Sequence, residues 1–315
     1  MTGRPVTDRH DHAGVVGSTA DLMGVAERIG RDWQGIGIEG AVHARNIDTG
    51  EELGFAAGRP YCLASVIKVP IALVAADKIA RGSWDGAEQL DLTPEQRSFG
   101  RYGLSAFRYP VRLAWADLLT QMLSVSDNAA GDAVLDRIGI GNVNRRLRTW
   151  GYHALLLRHR FQEMYDYATD AAGEDFAVAA QLAVQGRRTD GSHVIASLDV
   201  QRGNVGTAYA LTGLLSAIWA DTIAVPAATA MVRDAMDRSV FQHRMASDLQ
   251  ADDIAIAAKT GSFLNQRHEI GVVSTHGSRI AIAALTESSR PAAIQADVDL
   301  AIGAAARTAV EALRL

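Results

Sequence analysis

Cysteine is nearly absent from this chain of 315 residues: Cys62 is the single one, so no disulfide can form within the chain. No apolar run is long enough to span a membrane, and the first 17 residues lack the apolar core of a secretory signal. We therefore expect a cytoplasmic protein with no membrane partner. An incorrectly assigned start codon would hide an export signal, which is the alternative to that location.

Patterns for metals, nucleotides and nucleic acids are missing too. The nine histidines show no His-x-x-x-His or cysteine-paired spacing, and no glycine-rich phosphate loop is found. The sequence therefore predicts neither a metal site nor a cofactor. A formal net charge of −5 without a basic cluster argues against nucleic acid. The expected partner is a small-molecule substrate, and we expect a monomer or a weak oligomer.

The composition itself is that of a soluble globular protein, with 48% hydrophobic and 21% charged residues. Hydrophobic spacing predicts a helix after Ser18, a hairpin around residues 48–50 and a helix buried on all sides over residues 65–82. Further helices follow, and three antiparallel strands over residues 254–288 precede a closing helix. This order predicts an α/β fold: an antiparallel sheet built from both chain ends, flanked by the terminal helices, beside an all-helical lobe.

The domain organisation follows from the same order. We expect a flexible N-terminal arm over residues 1–17 and a single domain over residues 18–315. Its α/β lobe takes residues 18–64 and 205–315, and its helical lobe takes residues 65–204. Within the helical lobe, residues 155–203 are charged and poorly periodic, so we expect an expanded loop there, with one helix over residues 174–186.

Ser65 and Lys68, in the stretch CLASVIKVP, form the first candidate for chemistry. Residues three positions apart share a helix face, so the Lys68 amine could take the proton of the Ser65 hydroxyl. Burial or nearby cations would have to lower the pKa of that amine first. The alternative is a serine that caps the helix, followed by a surface lysine. This motif alone does not decide between the two.

Two tripeptides downstream are the next candidates. In SVSDNAA, the Ser126 hydroxyl could relay a proton, Asp127 could brace the loop and the Asn128 amide could hold a substrate carbonyl. A turn and helix cap is the other interpretation of Ser-Asp-Asn.

In AAKTGSF, Lys259 could attract a carboxylate, and Gly261 could let a substrate backbone approach. The backbone N–H groups of Ser262 and Ser65 could form an oxyanion hole. A polar edge strand is the alternative for this segment.

Together the three motifs resemble the signature of class A β-lactamases and penicillin-binding proteins. Their joint occurrence in this order by chance is on the order of one in a thousand. The resemblance runs from about residue 18 to the C-terminus and implies a β-lactamase/transpeptidase-like fold. It implies that Ser65 is acylated, that Lys68 is its base and that Ser126 relays a proton.

The resemblance also implies the substrate-binding residues. Asn128 would contact a carbonyl, and Lys259, Thr260, Gly261 and Ser262 would bind the substrate carboxylate and oxyanion. Two weaker correspondences are Arg267, near the place of a carboxylate-binding arginine, and Tyr102, near that of an aromatic at the cleft mouth. A strand-end or ion-paired arginine is an equally good account of Arg267.

The chain departs from the family between Ser126 and Lys259, which are 133 positions apart, a longer interval than is usual. Family members carry a Glu-x-x-Leu-Asn loop there, whose glutamate activates the water that removes the acyl group. Glu163 is the best-placed acid here, but Asp166 and Tyr167 stand where leucine and asparagine would be. Glu163 is thus the candidate deacylation base, and a solvated loop glutamate is the alternative.

The leading functional hypothesis is a serine hydrolase that acts through a Ser65 acyl-enzyme, most simply on a β-lactam or a related amide or ester. An acyltransferase or amide-forming enzyme of secondary metabolism on the same scaffold is the second. A non-catalytic relative that only binds a ligand is the third.

Overall fold

A central antiparallel sheet organises the computed structural model, which describes residues 14–250, 254–291 and 294–314. The strands in these ranges are β1 (Val15–Gly17), β2 (Ile38–Asn46), β3 (Glu52–Phe55), β4 (Tyr61–Cys62), β5 (Gln89–Leu92), β6 (Val111–Ala114), β7 (Val205–Gly206), β8 (Ala255–Phe263), β9 (Gln266–Thr275) and β10 (Ser278–Ser288). Six of them form the main sheet in the order β1-β3-β2-β10-β9-β8. Strand β10 pairs with β2 from Ile280 opposite Asn46 to Ser288 opposite Ile38. The sheet is therefore built from both chain ends, as expected.

Helices cover the sheet and form the second lobe. In chain order they are α1 (Ala20–Gly35), α2 (Lys68–Ala80), α3 (Trp115–Ser124), α4 (Asn128–Ile138), α5 (Ile140–Thr149), α6 (Phe161–Ala172), α7 (Phe176–Gln185), α8 (Ala208–Trp219), α9 (Pro226–Asp237) and α10 (Ala296–Leu313). None of these described helices is both long and apolar enough to cross a membrane.

Both faces of the sheet are buried. Side chains of a strand alternate between its two sides, so each strand contributes to both clusters. In β10, Ile280, Ile282 and Ala284 join a cluster with residues of α1 and α10. Ala281 and Ala283 point the other way, into a cluster shared with α2 and α8. The terminal helices thus lie on one face of the sheet, and one continuous core connects the other face to the helical lobe.

Helix α2 is the centre of the helical lobe, since every residue from Lys68 to Asp77 is buried. Helices α3, α4, α5 and α9 surround it. A helix that is apolar on all sides needs such an enclosed position, because each of its faces must leave water. This confirms the expectation drawn from the sequence.

The expanded loop expected over residues 155–203, with one helix, contains two packed helices. Helix α7 confirms the helix expected over residues 174–186, whereas α6 was not expected. Asp132 of α4 accepts hydrogen bonds from the first two backbone N–H groups of α6, at 2.8 and 2.9 Å. The residue before α6 is Arg160 rather than a usual capping residue, and part of the cap comes from 29 residues away, which is why the sequence did not reveal this helix.

The N-terminal arm expected over residues 1–17 is wrong for Val15–Gly17, which pair with β3 as an edge strand. Residues 1–13 lie outside the described residues.

Candidate active site

Ser65 lies on a single tight turn, Ala64–Ile67, that runs directly into α2. Its hydroxyl lies 3.2 Å from the Lys68 Nζ, which donates to it, and no side-chain cap is formed at either Leu63 or Ile67. The helix-cap interpretation of Ser65 is therefore excluded. Its neighbour Ala64 has a φ of +44°, a conformation that costs free energy and is concentrated at functional sites.

Lys68 is fully buried, and its Nζ lies within hydrogen-bond distance of four oxygen atoms, which belong to Ser65, Ser126 and Asn128. Besides Ser65, it donates to the Ser126 carbonyl at 2.7 Å and to the Asn128 Oδ1 at 2.7 Å. The Phe161 ring covers it, with its centroid 4.4 Å from Nζ. Burial lowers the pKa of Lys68 to about 7, because water no longer stabilises the charged form. A neutral amine is thus available near neutral pH.

Ser126 connects the two buried lysines of the site. Its hydroxyl accepts from the Lys259 Nζ at 2.8 Å and lies 3.5 Å from the Lys68 Nζ. Its φ of +60° is a strained value for a residue other than glycine, and it turns the side chain toward both amines. Two of the three lysines in the chain meet at this hydroxyl.

Asp127 braces the loop, as expected. Its carboxylate caps α4 by accepting from the backbone N–H groups of Ala129 and Ala130. It also accepts from the Leu104 N–H at 2.5 Å and the Ser105 hydroxyl at 3.1 Å. One buried carboxylate therefore fixes the Ser-Asp-Asn turn to the loop that carries Tyr102.

Lys259 extends from β8 into the same cluster. It is fully buried and donates to the Ser126 hydroxyl and, at 2.7 Å, to the Thr260 carbonyl. Burial lowers its pKa well below the ordinary value, and the charges of Lys68 and Arg244 lower it further. The cluster therefore holds two amines, neither of which retains the strong basicity of a surface lysine.

Gly261 places β8 against the turn of Ser65. A Cβ at this position would lie 3.1 Å from the Leu63 carbonyl and 3.2 Å from the Val66 N. The absent side chain thus makes room for the chain's own backbone rather than, as expected, for a substrate backbone. The close packing brings Thr260 and Ser262, the neighbours of Gly261, beside the turn that carries Ser65.

Arg267 is a residue of β9 and pairs with Ser262 of β8 in the sheet. Its buried guanidinium donates to the carbonyls of Leu264 and Gln266 at 2.9 and 2.7 Å. Burial and the nearby charge of Arg244 lower its pKa to about 10. Its observed contacts hold the β8–β9 hairpin, in line with the strand-end account of this residue.

Arg244 is a residue of the site that the sequence did not indicate. Its guanidinium is buried and donates to the Ser262 hydroxyl at 2.6 Å and to the carbonyls of Gly261 and His268 at 3.2 and 2.7 Å. An ion pair with Asp299 of α10 holds it at 2.6 Å. A single arginine outside any motif gives no sequence signal, and only the folded chain brings it to the Lys-Thr-Gly strand.

Glu163 and Tyr102 do not join the hydrogen-bonded cluster. The Glu163 carboxylate accepts from the Arg160 backbone N–H at 2.8 Å and so closes the first turn of α6. Tyr102 is 52% exposed and packs edge-on against Phe241. The structure thus brings together Ser65, Lys68, Ser126, Asn128 and Lys259, with Thr260, Gly261 and Ser262 alongside.

Known proteins with similar sequences and folds match nearly the whole chain. A family model described as "Beta-lactamase enzyme family" matches residues 25–313. A Streptomyces cacaoi protein named beta-lactamase regulatory protein BlaB is 35% identical over 292 residues, which cover 88% of this chain and 94% of that protein.

Two solved structures have the same fold. That of PBP-A has a TM-score of 0.71 at 18% identity and covers 92% of this chain and 95% of its own. That of a β-lactamase from Chitinophaga pinensis has a TM-score of 0.76 at 16% identity and covers 92% of this chain and 99% of its own. These likenesses confirm the β-lactamase/transpeptidase-like fold expected from the sequence.

Proposed function

Because the chain belongs to the β-lactamase enzyme family, we propose that Ser65 attacks the carbonyl of a β-lactam or a related amide or ester and becomes acylated. The observation that carries this proposal is the continuous hydrogen-bonded chain from Ser65 through Lys68 and Ser126 to Lys259. A nucleophile, a base and a proton relay are in contact before any substrate arrives. In a relative of known structure, a PBP-A variant, penicillin G forms such an acyl-enzyme.

In the proposed mechanism each of these groups has one role. Neutral Lys68 takes the Ser65 proton as the hydroxyl oxygen bonds to the carbonyl carbon. The backbone N–H groups of Ser65 and Ser262 stabilise the resulting oxyanion. As the carbon–nitrogen bond breaks, Ser126 gives its proton to the leaving nitrogen and receives one from Lys68. Lys259 keeps the Ser126 hydroxyl aimed at that nitrogen.

The acylation rate should consequently rise with pH up to about 7 and then level off. Below the pKa of Lys68, about 7, the protonated amine cannot accept the Ser65 proton, so the rate should fall about tenfold for each pH unit. Stopped-flow acylation by a chromogenic cephalosporin between about pH 5 and pH 8 measures this profile. An inflection near the ordinary lysine value, or a flat profile, would contradict the role of Lys68.

We further propose that water removes the acyl group slowly. The Phe161 ring covers the Lys68 amine. A carboxylate in that place could activate a water molecule for attack on the acyl group, but an aromatic ring cannot. The two carboxylates whose charge acts on Lys68 are those of Asp127 and Asp132, and both already accept several hydrogen bonds. Within residues 14–250, 254–291 and 294–314, no carboxylate bonds to Lys68 or Ser65.

A long-lived acyl-enzyme suits a protein that senses the presence of a β-lactam rather than one that hydrolyses it. The Streptomyces cacaoi relative carries the name of a regulatory protein, which favours this role over rapid hydrolysis. The same persistence would give an amine time to intercept the acyl group, so acyl transfer is the second candidate.

Intact-protein mass spectrometry tests both parts of the proposal. We expect benzylpenicillin to add its full mass once, because opening the ring releases no fragment, and we expect the adduct to persist. Ser65→Ala should abolish the adduct, whereas Ser124→Ala, at a buried serine whose hydroxyl donates to the Thr120 carbonyl, should retain it. Rapid release of penicilloic acid without a persistent adduct would instead establish a β-lactamase. A shorter adduct lifetime in the presence of added amines would indicate acyl transfer. No adduct and no turnover would overturn the proposal.

A further inference from the structure

Three aromatic side chains form a bridge between the two lobes beside the nucleophile. The aromatic bridge consists of Phe99 in the helical lobe, Tyr165 of α6 and Phe263 at the end of β8. The ring centroid of Tyr165 lies 4.8 Å from that of Phe99 and 5.5 Å from that of Phe263, and both contacts are edge-on. Phe263 is buried, whereas Phe99 is 57% exposed, so the bridge runs from the core to the surface.

The aromatic bridge borders the acyl side of the site. Phe99 accepts a hydrogen bond from the Asn128 Nδ2 through its carbonyl, at 2.8 Å. Burial raises the pKa of the Tyr165 hydroxyl, and the adjacent Asn128 side chain opposes that rise. Because Asn128 is the candidate contact of the substrate carbonyl, a donor side chain next to that carbonyl would reach the Phe99 and Tyr165 side chains beside Asn128.

An exposed cation stands next to the aromatic bridge. Arg101 follows Phe99 by two residues and has no hydrogen bond or ion pair within the described part of the chain. Its charge is close enough to act on the Tyr165 hydroxyl. By contrast, Arg97 of the same loop donates to three carbonyls, those of Leu92, Phe107 and Tyr109, and thereby fixes the loop's shape. The backbone of the loop that carries Arg101 is therefore held in place by the hydrogen bonds of Arg97.

We propose that the aromatic bridge and Arg101 form the subsite for the acyl donor's side chain, and that this subsite selects donors carrying an aryl group next to an anionic group. The inference rests on the proposed acylation of Ser65 and names its substrate class. Exposed aromatic edges gain free energy by covering a flat apolar group. An unpaired guanidinium at the rim gains by pairing with a carboxylate, and the one acidic residue of the loop, Glu95, forms no ion pair with it among the described residues.

Three penicillins with the same nucleus separate these contributions. 6-Aminopenicillanic acid has no acyl side chain, benzylpenicillin carries a phenylacetyl group, and carbenicillin adds a carboxylate between that ring and the carbonyl. The second-order rate constant for Ser65 acylation, from competition with a fluorescent penicillin, should increase in that order. Phe99→Ala should lower the constants of the two aryl penicillins about tenfold and leave that of 6-aminopenicillanic acid unchanged.

Arg101→Gln is the sharper variant. It should lower the carbenicillin constant about fivefold and leave the benzylpenicillin constant within about twofold. Arg108→Gln, a matched change of another exposed arginine of this loop without a partner in the described residues, should leave all three constants unchanged.

If benzylpenicillin acylates Ser65 but carbenicillin reacts more slowly, or if Arg101→Gln affects both equally, the subsite is overturned while the proposed function stands. If none of the three penicillins acylates the wild-type protein, both fail.

Discussion

Replacing Lys68 with methionine is expected to slow acylation of Ser65 on the order of 1,000-fold, the contribution typical of a positioned general base. Methionine fills a similar volume but cannot accept the proton of the hydroxyl that lies 3.2 Å from the Lys68 amine. Stopped-flow measurement with a chromogenic cephalosporin, at pH values above the pKa of Lys68, gives the rate constants. The loss should be the same at every such pH.

Two further variants separate chemistry from folding. Lys68→Arg keeps a positive charge and hydrogen-bond donors but cannot become neutral, so it should lose acylation while remaining folded. Lys78→Met, at the other end of α2, should behave like the wild-type protein. A Lys68→Arg protein that is acylated within about tenfold of the wild-type rate would show that another group is the base.

Replacing Asp132 with alanine is expected to lower the free energy of unfolding by about 3 kcal/mol. This buried carboxylate accepts from the Ser98 hydroxyl at 2.6 Å and from the backbone N–H groups of Phe161 and Gln162. Alanine would leave three donors without their partner and detach the start of α6 from α4. Urea denaturation followed by circular dichroism measures the change.

Asp136→Ala is the matched control on the same helix. Asp136 forms an ion pair with Arg160, but both side chains are nearly half exposed. Solvent screens such a pair, so its loss should change the free energy of unfolding by less than about 1 kcal/mol. Equal effects of the two substitutions would show that Asp132 does not anchor α6.

The candidate active site concentrates features that a fold adopted for stability alone would avoid. Two lysines are buried with no carboxylate bonded to either amine in the described residues, and desolvation of their charges costs free energy. Ala64 and Ser126 both have a positive φ. The surrounding core holds these groups in place, and burial lowers the pKa of the Lys68 amine to about 7, as the proposed role of base requires.

The sequence predicted most of the fold because its signals are local. Helix α2 is apolar on all sides and the β2–β3 hairpin has a turn sequence, so each could be located from its own residues. Helix α6 was missed because the residue before it, Arg160, is not a usual capping residue and Asp132 on another helix caps its first N–H groups. The edge strand Val15–Gly17 is too short to show a period, and only its pairing with β3 defines it.

By itself, the sequence determined which residues could carry the chemistry: Ser65, Lys68, Ser126 and Lys259 stand in motifs whose order is informative whatever their contacts. Only the tertiary structure decided which groups meet them. It brought Arg244 to Ser262, turned the Glu163 carboxylate into the first turn of α6 and placed the Phe161 ring over Lys68. The physical reason is that a catalytic motif is read along the chain, whereas burial, charge and water access depend on segments distant in sequence.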